Sequence, residues 1–210
     1  MTSQGLIFSE FELTPRRHTH YLPLMLDSVL IQAGLDKSAL SHIAYANGPG
    51  AFTGVRIAAS TAQGLCIGLS LPLLPVSTLA VVAQQTADIH HVDKIIATLD
   101  ARMGEAYVAS YRVNSVTQLV ELEGEEKLIK LDSLENVEGY FSAGSGFKAK
   151  REGGLEIIEE SLDEEILPHA AALVKLAKQA VDTEYNRKYQ PALINYIRNN
   201  VAVKKKQVSL

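Results

Sequence analysis

Between about His20 and Ala33 the apolar positions Leu22, Met25, Leu26, Val29, Leu30 and Ala33 recur at i, i+3, i+4, i+7, i+8 and i+11, which is the core stripe of an amphipathic helix. Leu24 and Ile31 lie seven apart on the other side, with Ser28 between them and Tyr21 and Gln32 flanking. An isolated surface helix is polar there. Although single surface leucines are common, the two aliphatics predict a second contact.

A second helix repeats the pattern in smaller residues. Asn47 to Gly64 reads NGPGAFTGVRIAASTAQG, a tight turn through Gly48, Pro49 and Gly50 that feeds a helix starting near Phe52 or Thr53, with Thr53 the candidate N-cap. Val55, Ala58, Ala59, Ala62, Leu65, Cys66 and Leu69 fall on one face and suit packing on a sheet. Arg56, Ser60, Gln63 and Ile67 fall opposite, free to meet something else. Gly54, Gly64 and Gly68 each cost a helix about 1 kcal/mol relative to alanine, which predicts close backbone approach. The loop of Gly48, Pro49, Gly50, Phe52, Thr53 and Gly54 has two readings. Free N–H groups and the helix dipole make it an anion site. The lysine of a P-loop is missing, however, and a plain strand-to-helix turn has the same sequence.

The remaining pattern predicts strands at 5–13, 42–46 and 73–76, then a helix capped by Ser77 or Thr78 and running to about Ala87. Strands at 94–99, 106–113, 118–123 and 140–143 follow, joined by the turn DARMGE and by acidic linkers, before an alanine-rich helix over 168–181 and a terminal segment from Pro191. Helices interleaved with strands predict an α/β fold, and the change of texture near Asp100 predicts two lobes, 1–99 and 100–210.

With 210 residues, 47% of them hydrophobic and 21% charged, the chain can bury a sizeable core. No apolar run spans a bilayer and no signal-peptide pattern opens the chain, so a soluble cytoplasmic protein is expected. Its one cysteine, Cys66, sits on a core face, where an inert small hydrophobe is the expected role. The net charge of −4 argues against autonomous nucleic-acid binding, and Lys204, Lys205 and Lys206 read as a solvated basic end. His18 with His20, and His90 with His91, lack metal-ligand spacing and read as surface or cap residues. Asp100, Arg102 and Glu105 are the clustered candidates for phosphotransfer, with an ion-paired turn as the alternative.

The strings NGPGAFTGVRI at 47–57, AQGL at 62–65, PVSTLA at 75–80, DARMGEAY at 100–107 and YIRNNVAVKK at 196–205 together resemble the bacterial TsaB family, also called YeaZ. The resemblance covers most of the chain and is weakest over 114–181. It implies an actin-like, two-lobed fold of the ASKHA, ribonuclease H-like class. It also implies a non-catalytic scaffold role in making threonylcarbamoyladenosine (t6A) in tRNA. The expected partners are a TsaD-like catalytic subunit bound through the first two helices and a TsaE-like ATPase in the larger complex. tRNA would be met only through that complex, and a homodimer is expected when the chain is alone. The interface residues so implied are Leu24, Ser28, Ile31, Arg56, Ser60, Gln63 and Ile67. No catalytic residue, metal or cofactor is expected, weak nucleotide binding at a subunit interface being left open.

Departures from the family are equally specific. Ala51 stands where serine is usual, and Ala58 and Ser60 replace glycines. Thr78 and Val82 occupy the positions of a metal-binding HxxxH in the catalytic relatives. Relatives open with a strand carrying an Asp-Thr pair and then a second strand, neither of which precedes Met1, so a native protein longer by about 20 residues is expected. The competing function is an independent actin-like ATPase or kinase, or a homologue of M22-type metalloproteases.

Overall fold

The computed structural model describes residues 5–13, 19–157, 160–181 and 191–198, together with the backbone of 2–3 and 18. The chain opens with a two-residue hairpin, β1 (Thr2–Ser3) and β2 (Leu6–Ile7), turning at Gly5. The strand expected over 5–13 therefore stops at Ile7. Beyond it no strand among the described residues pairs with the segment, and Glu10 is instead hydrogen-bonded to the first helix.

Helix α1 (His18–Ala33) closes on Gly34, whose φ of +63° lets Leu35 N–H reach the Leu30 carbonyl at 3.1 Å. Strand β3 (Ile43–Ala46) lies parallel to β4 (Leu73–Val76), as a strand–helix–strand crossover through α2 (Phe52–Leu69) requires. The two strands are packed on both faces. Tyr45 and Leu73 meet Ala59, Ala62 and Cys66 of α2, while Leu74 and Val76 meet Ala172 and Ala177 of a later helix.

Helix α3 (Thr78–His90) is capped by Ser77, whose Oγ accepts the Leu79 and Ala80 N–H groups. It ends on His91 in the left-handed region. A five-stranded sheet follows, with β5 (Lys94–Arg102), β6 (Glu105–Val113), β7 (Val120–Lys130), β8 (Phe141–Ala143) and β9 (Leu162–Asp163) in the order β7-β6-β5-β8-β9. Period-two alternation along β5 separates its two cores. Ile95, Ala97 and Leu99 face Leu79 and Val82 of α3, whereas Ile96 faces Phe147 of α4 (Ser145–Glu152). α5 (Ala170–Ala180) is capped by His169 and covers β4, so the helix expected over 168–181 is shorter at both ends. No described helix is long and apolar enough to cross a membrane.

Candidate docking face and glycine loop

The glycine loop is tied into the fold at its start. Asn47 N–H donates to the Val76 carbonyl at 2.9 Å and Thr78 N–H to the Gly48 carbonyl at 2.8 Å, tying the loop to the end of β4 and the start of α3. Gly48 and Pro49 are buried. A Cβ on Gly48, at φ +107°, would lie 2.9 Å from the Asn195 carbonyl oxygen, so this position needs glycine for its conformation and its close contact. A Cβ added at Gly50 would lie 3.3 Å from the Val55 side chain, while Phe52 and Thr53 are exposed and Gly54 is half-buried. The expected Thr53 cap is corrected by the structure. Ala51 holds the N-cap position with no side-chain hydrogen bond, because the helix begins at Phe52 and places Thr53 within its first turn.

On α1 Leu30 alone is fully buried, with Leu22, Met25, Leu26, Val29 and Ala33 half-buried. On the opposite side Leu24 is 55% and Ile31 79% exposed. α2 lays Gly54, Ile57 and Ala58 beside Tyr21, Leu22 and Met25 of α1. Its outer stripe is Ser60, Gly64, Ile67 and Gly68, all exposed, with Ile67 at 63%. Among the described residues a Cβ added at Gly64 or Gly68 meets nothing within 4 Å, so no contact among them requires either glycine.

Three residues of the expected face already have partners. Ser28 Oγ donates to Glu10 at 2.6 Å. Gln63 Oε1 accepts the Ala192 N–H at 2.6 Å. The Arg56 guanidinium lies 3.2 Å from the Phe52 ring centroid and 5.6 Å from that of Tyr196. The expectation that Arg56 and Gln63 are free is thus corrected, since the segment 191–198 runs along α2 and engages both. Leu24, Ile31, Ser60 and Ile67 remain open.

The DARMGE carboxylates are committed to a turn. Arg102, Met103 and Gly104 adopt φ of +64°, +60° and +75° in succession. Asp100 Oδ1 accepts the Arg102 N–H at 2.8 Å and its Oδ2 lies 2.9 Å from the Arg102 guanidinium, while Glu105 pairs with Arg198. Thr78 is 8% and Val82 0% exposed. Among the described residues no three His, Cys, Asp or Glu side chains could hold a metal ion. His90 bonds Asp163 at 2.9 Å and stacks on Phe141, His91 terminates α3, and His20 meets Tyr21 edge to face. The His18 side chain and Lys204, Lys205 and Lys206 lie outside the described residues. Cys66 is fully buried, and burial pushes its thiol above the ordinary range.

One cluster had no advance signal. Glu126 accepts hydrogen bonds from Ser77 Oγ, from Tyr111 OH at 3.0 Å and from Asn195 Nδ2 at 2.7 Å. In the sequence it sits in an acidic run that reads as linker.

Residues 11–142 match the family model described as TsaD, tRNA N6-adenosine threonylcarbamoyltransferase. The tRNA threonylcarbamoyladenosine biosynthesis protein TsaB of Escherichia coli (strain K12) is 34% identical, over 97% of this chain and 90% of its own. Among solved structures, YeaZ from Pseudomonas aeruginosa superposes with a TM-score of 0.84 at 34% identity, covering 93% of this chain and 91% of its own. The crystal structure of an uncharacterized protein with similarity to peptidase YEAZ from Pseudomonas aeruginosa gives 0.85 at 33% identity, with coverages of 94% and 92%.

Proposed function

Because the chain belongs to the TsaB (YeaZ) family and has an actin-like α/β fold, we propose that it serves tRNA threonylcarbamoyladenosine biosynthesis as a non-catalytic scaffold. It docks a TsaD-like catalytic subunit through the outer faces of α1 and α2. A TsaE-like ATPase joins the larger assembly, tRNA is reached through that assembly, and the work is done in the cytoplasm. The chain needs no cofactor of its own, and any nucleotide binds weakly at the subunit interface.

The observation that carries this reading is the outer surface of the two helices, where Leu24, Ile31 and Ile67 are each more than half exposed and where α2 also exposes Gly64 and Gly68. Covering a large aliphatic side chain is worth about 1.5–3 kcal/mol, and glycines that no described residue requires suit the close approach of another helix. The non-catalytic half of the reading is supported by the Asp100–Arg102 and Glu105–Arg198 pairs, which engage the clustered carboxylates in a turn.

The test is titration of the TsaD-like subunit of the same organism with the wild-type chain and with Ile31→Asp. The variant places an unpaired charge in the interface, at a cost of about 3 kcal/mol or more, so affinity should fall by about 100-fold or more. Because Ile31 is 79% exposed in the single chain, the variant's thermal midpoint should hardly move at concentrations where both chains are monomeric. Unchanged affinity would place the docking surface elsewhere. If the wild-type chain does not bind, the scaffold reading fails, and ATP hydrolysis by the isolated chain tests the enzymatic alternative. Without its partner the same open faces close on a second copy about a two-fold axis, which sedimentation velocity reads directly.

A further inference from the structure

Residues 191–198 form neither helix nor strand, yet they are bonded to both halves of the molecule. At one end Ala192 N–H donates to Gln63 of α2 at 2.6 Å, and the Leu193 carbonyl accepts Tyr45 OH of β3 at 2.7 Å. In the middle Asn195 N–H donates to the Asn47 carbonyl at 2.8 Å, while its Nδ2 reaches Glu126 of β7 at 2.7 Å. At the other end Arg198 pairs with Glu105 of β6 and donates to the Arg102 carbonyl at 3.4 Å. The apolar side chains divide in the same way. Ala192 and Ile194 pack on the core between α2 and β3, and Ile197 packs on the core between α3 and the large sheet.

Two of the side chains that meet this strap, Arg56 and Gln63, belong to the α2 residues expected at the docking face. Both are long, and fixing either in one rotamer costs conformational entropy. A seated strap has fixed them already, so a partner arriving at α2 meets a surface that needs less ordering. We propose that the segment 191–198 is a coupling strap that links occupation of the α2 face to the large sheet. The proposal rests on the docking reading above. Linkage is reciprocal: a strap that strengthens docking is itself tightened by docking.

The experiment uses Glu105→Gln and Asn195→Ala, which loosen the strap at its far anchors without altering α2. Hydrogen–deuterium exchange at the Ala192 and Asn195 amides is followed in the free chain and with the TsaD-like subunit at saturation. In the free chain both variants should raise exchange at Ala192, whose partner Gln63 is untouched. In the wild type the subunit should slow exchange at both amides, and each variant should bind it about fivefold more weakly or worse. If Ala192 stays protected in both free variants, the strap does not act as one unit and the proposal is overturned. It is overturned equally if the saturated wild type shows unchanged exchange at the strap while α2 is protected and the variants bind normally. A wild-type chain that binds no such subunit overturns the docking reading and the partner half of this proposal, and the free-chain exchange then decides the strap alone.

Discussion

Tyr111 shows how one buried side chain sets a property of the whole protein. Its phenol is buried on β6, and burial first, then the negative charge of Glu126, raises its pKa well above the ordinary value of 10.0. Burial also raises Tyr45, whose hydroxyl donates to the Leu193 carbonyl. A raised folded-state value contributes stability that is complete below about pH 10 and is lost as pH climbs, because the unfolded chain then releases a proton that the folded chain keeps. The slope is about 1.4 kcal/mol per pH unit for each such group. Urea unfolding at pH 9, 10 and 11 should therefore show the wild type losing stability more steeply than Tyr111→Phe. Equal slopes would mean that the phenol ionises in the folded state.

At the scale of elements, α2 contains a conflict that its own subunit does not resolve. Gly64 and Gly68 weaken the helix, and an added Cβ at either meets open space. Gly64→Ala and Gly68→Ala should each stabilise the free chain by about 1 kcal/mol and weaken docking of the TsaD-like subunit. Denaturant melts and the titration together check this, and a stabilised chain with unchanged affinity would show that the glycines serve no interface. The elements legible in the sequence are those whose chemistry is local. Glycines and proline marked the loop before α2, Ser77 marked the cap of α3, and the 3.6-residue period of Leu22, Met25, Leu26 and Val29 marked α1. What escaped notice depends on distant groups. α4 carries a single large apolar anchor, Phe147, too little to make a period. The strap is recognised largely through its main chain, by Gln63, Tyr45 and Asn47, and side-chain pattern does not record such bonds. The exposure of Leu24, Ile31 and Ile67 on the proposed docking face was legible because exposed aliphatics break the polar rule for a surface helix. The engagement of Ser28, Arg56 and Gln63 was not, since Glu10, Tyr196 and Ala192 approach them from remote parts of the chain.

For the molecule as a whole, α3 is the shared wall. Leu79 and Val82 belong to the core of the large sheet, while Val81 belongs to the core between β4 and α5. A helix that closes two cores cannot leave one without opening the other, so thermal unfolding should be a single transition in which far-ultraviolet dichroism and tyrosine fluorescence coincide. Separated midpoints would show that the two cores melt independently. The same packing has a consequence for descent. The two α3 positions that the family resemblance aligns with a metal-binding HxxxH hold Thr78 and Val82, both inside this wall. Imidazole rings there would overfill an interior with little slack. Two codon changes would therefore not suffice to install a metal pair there, because the wall would first have to open. A lineage that has closed its interior in this way keeps only its outside free to vary.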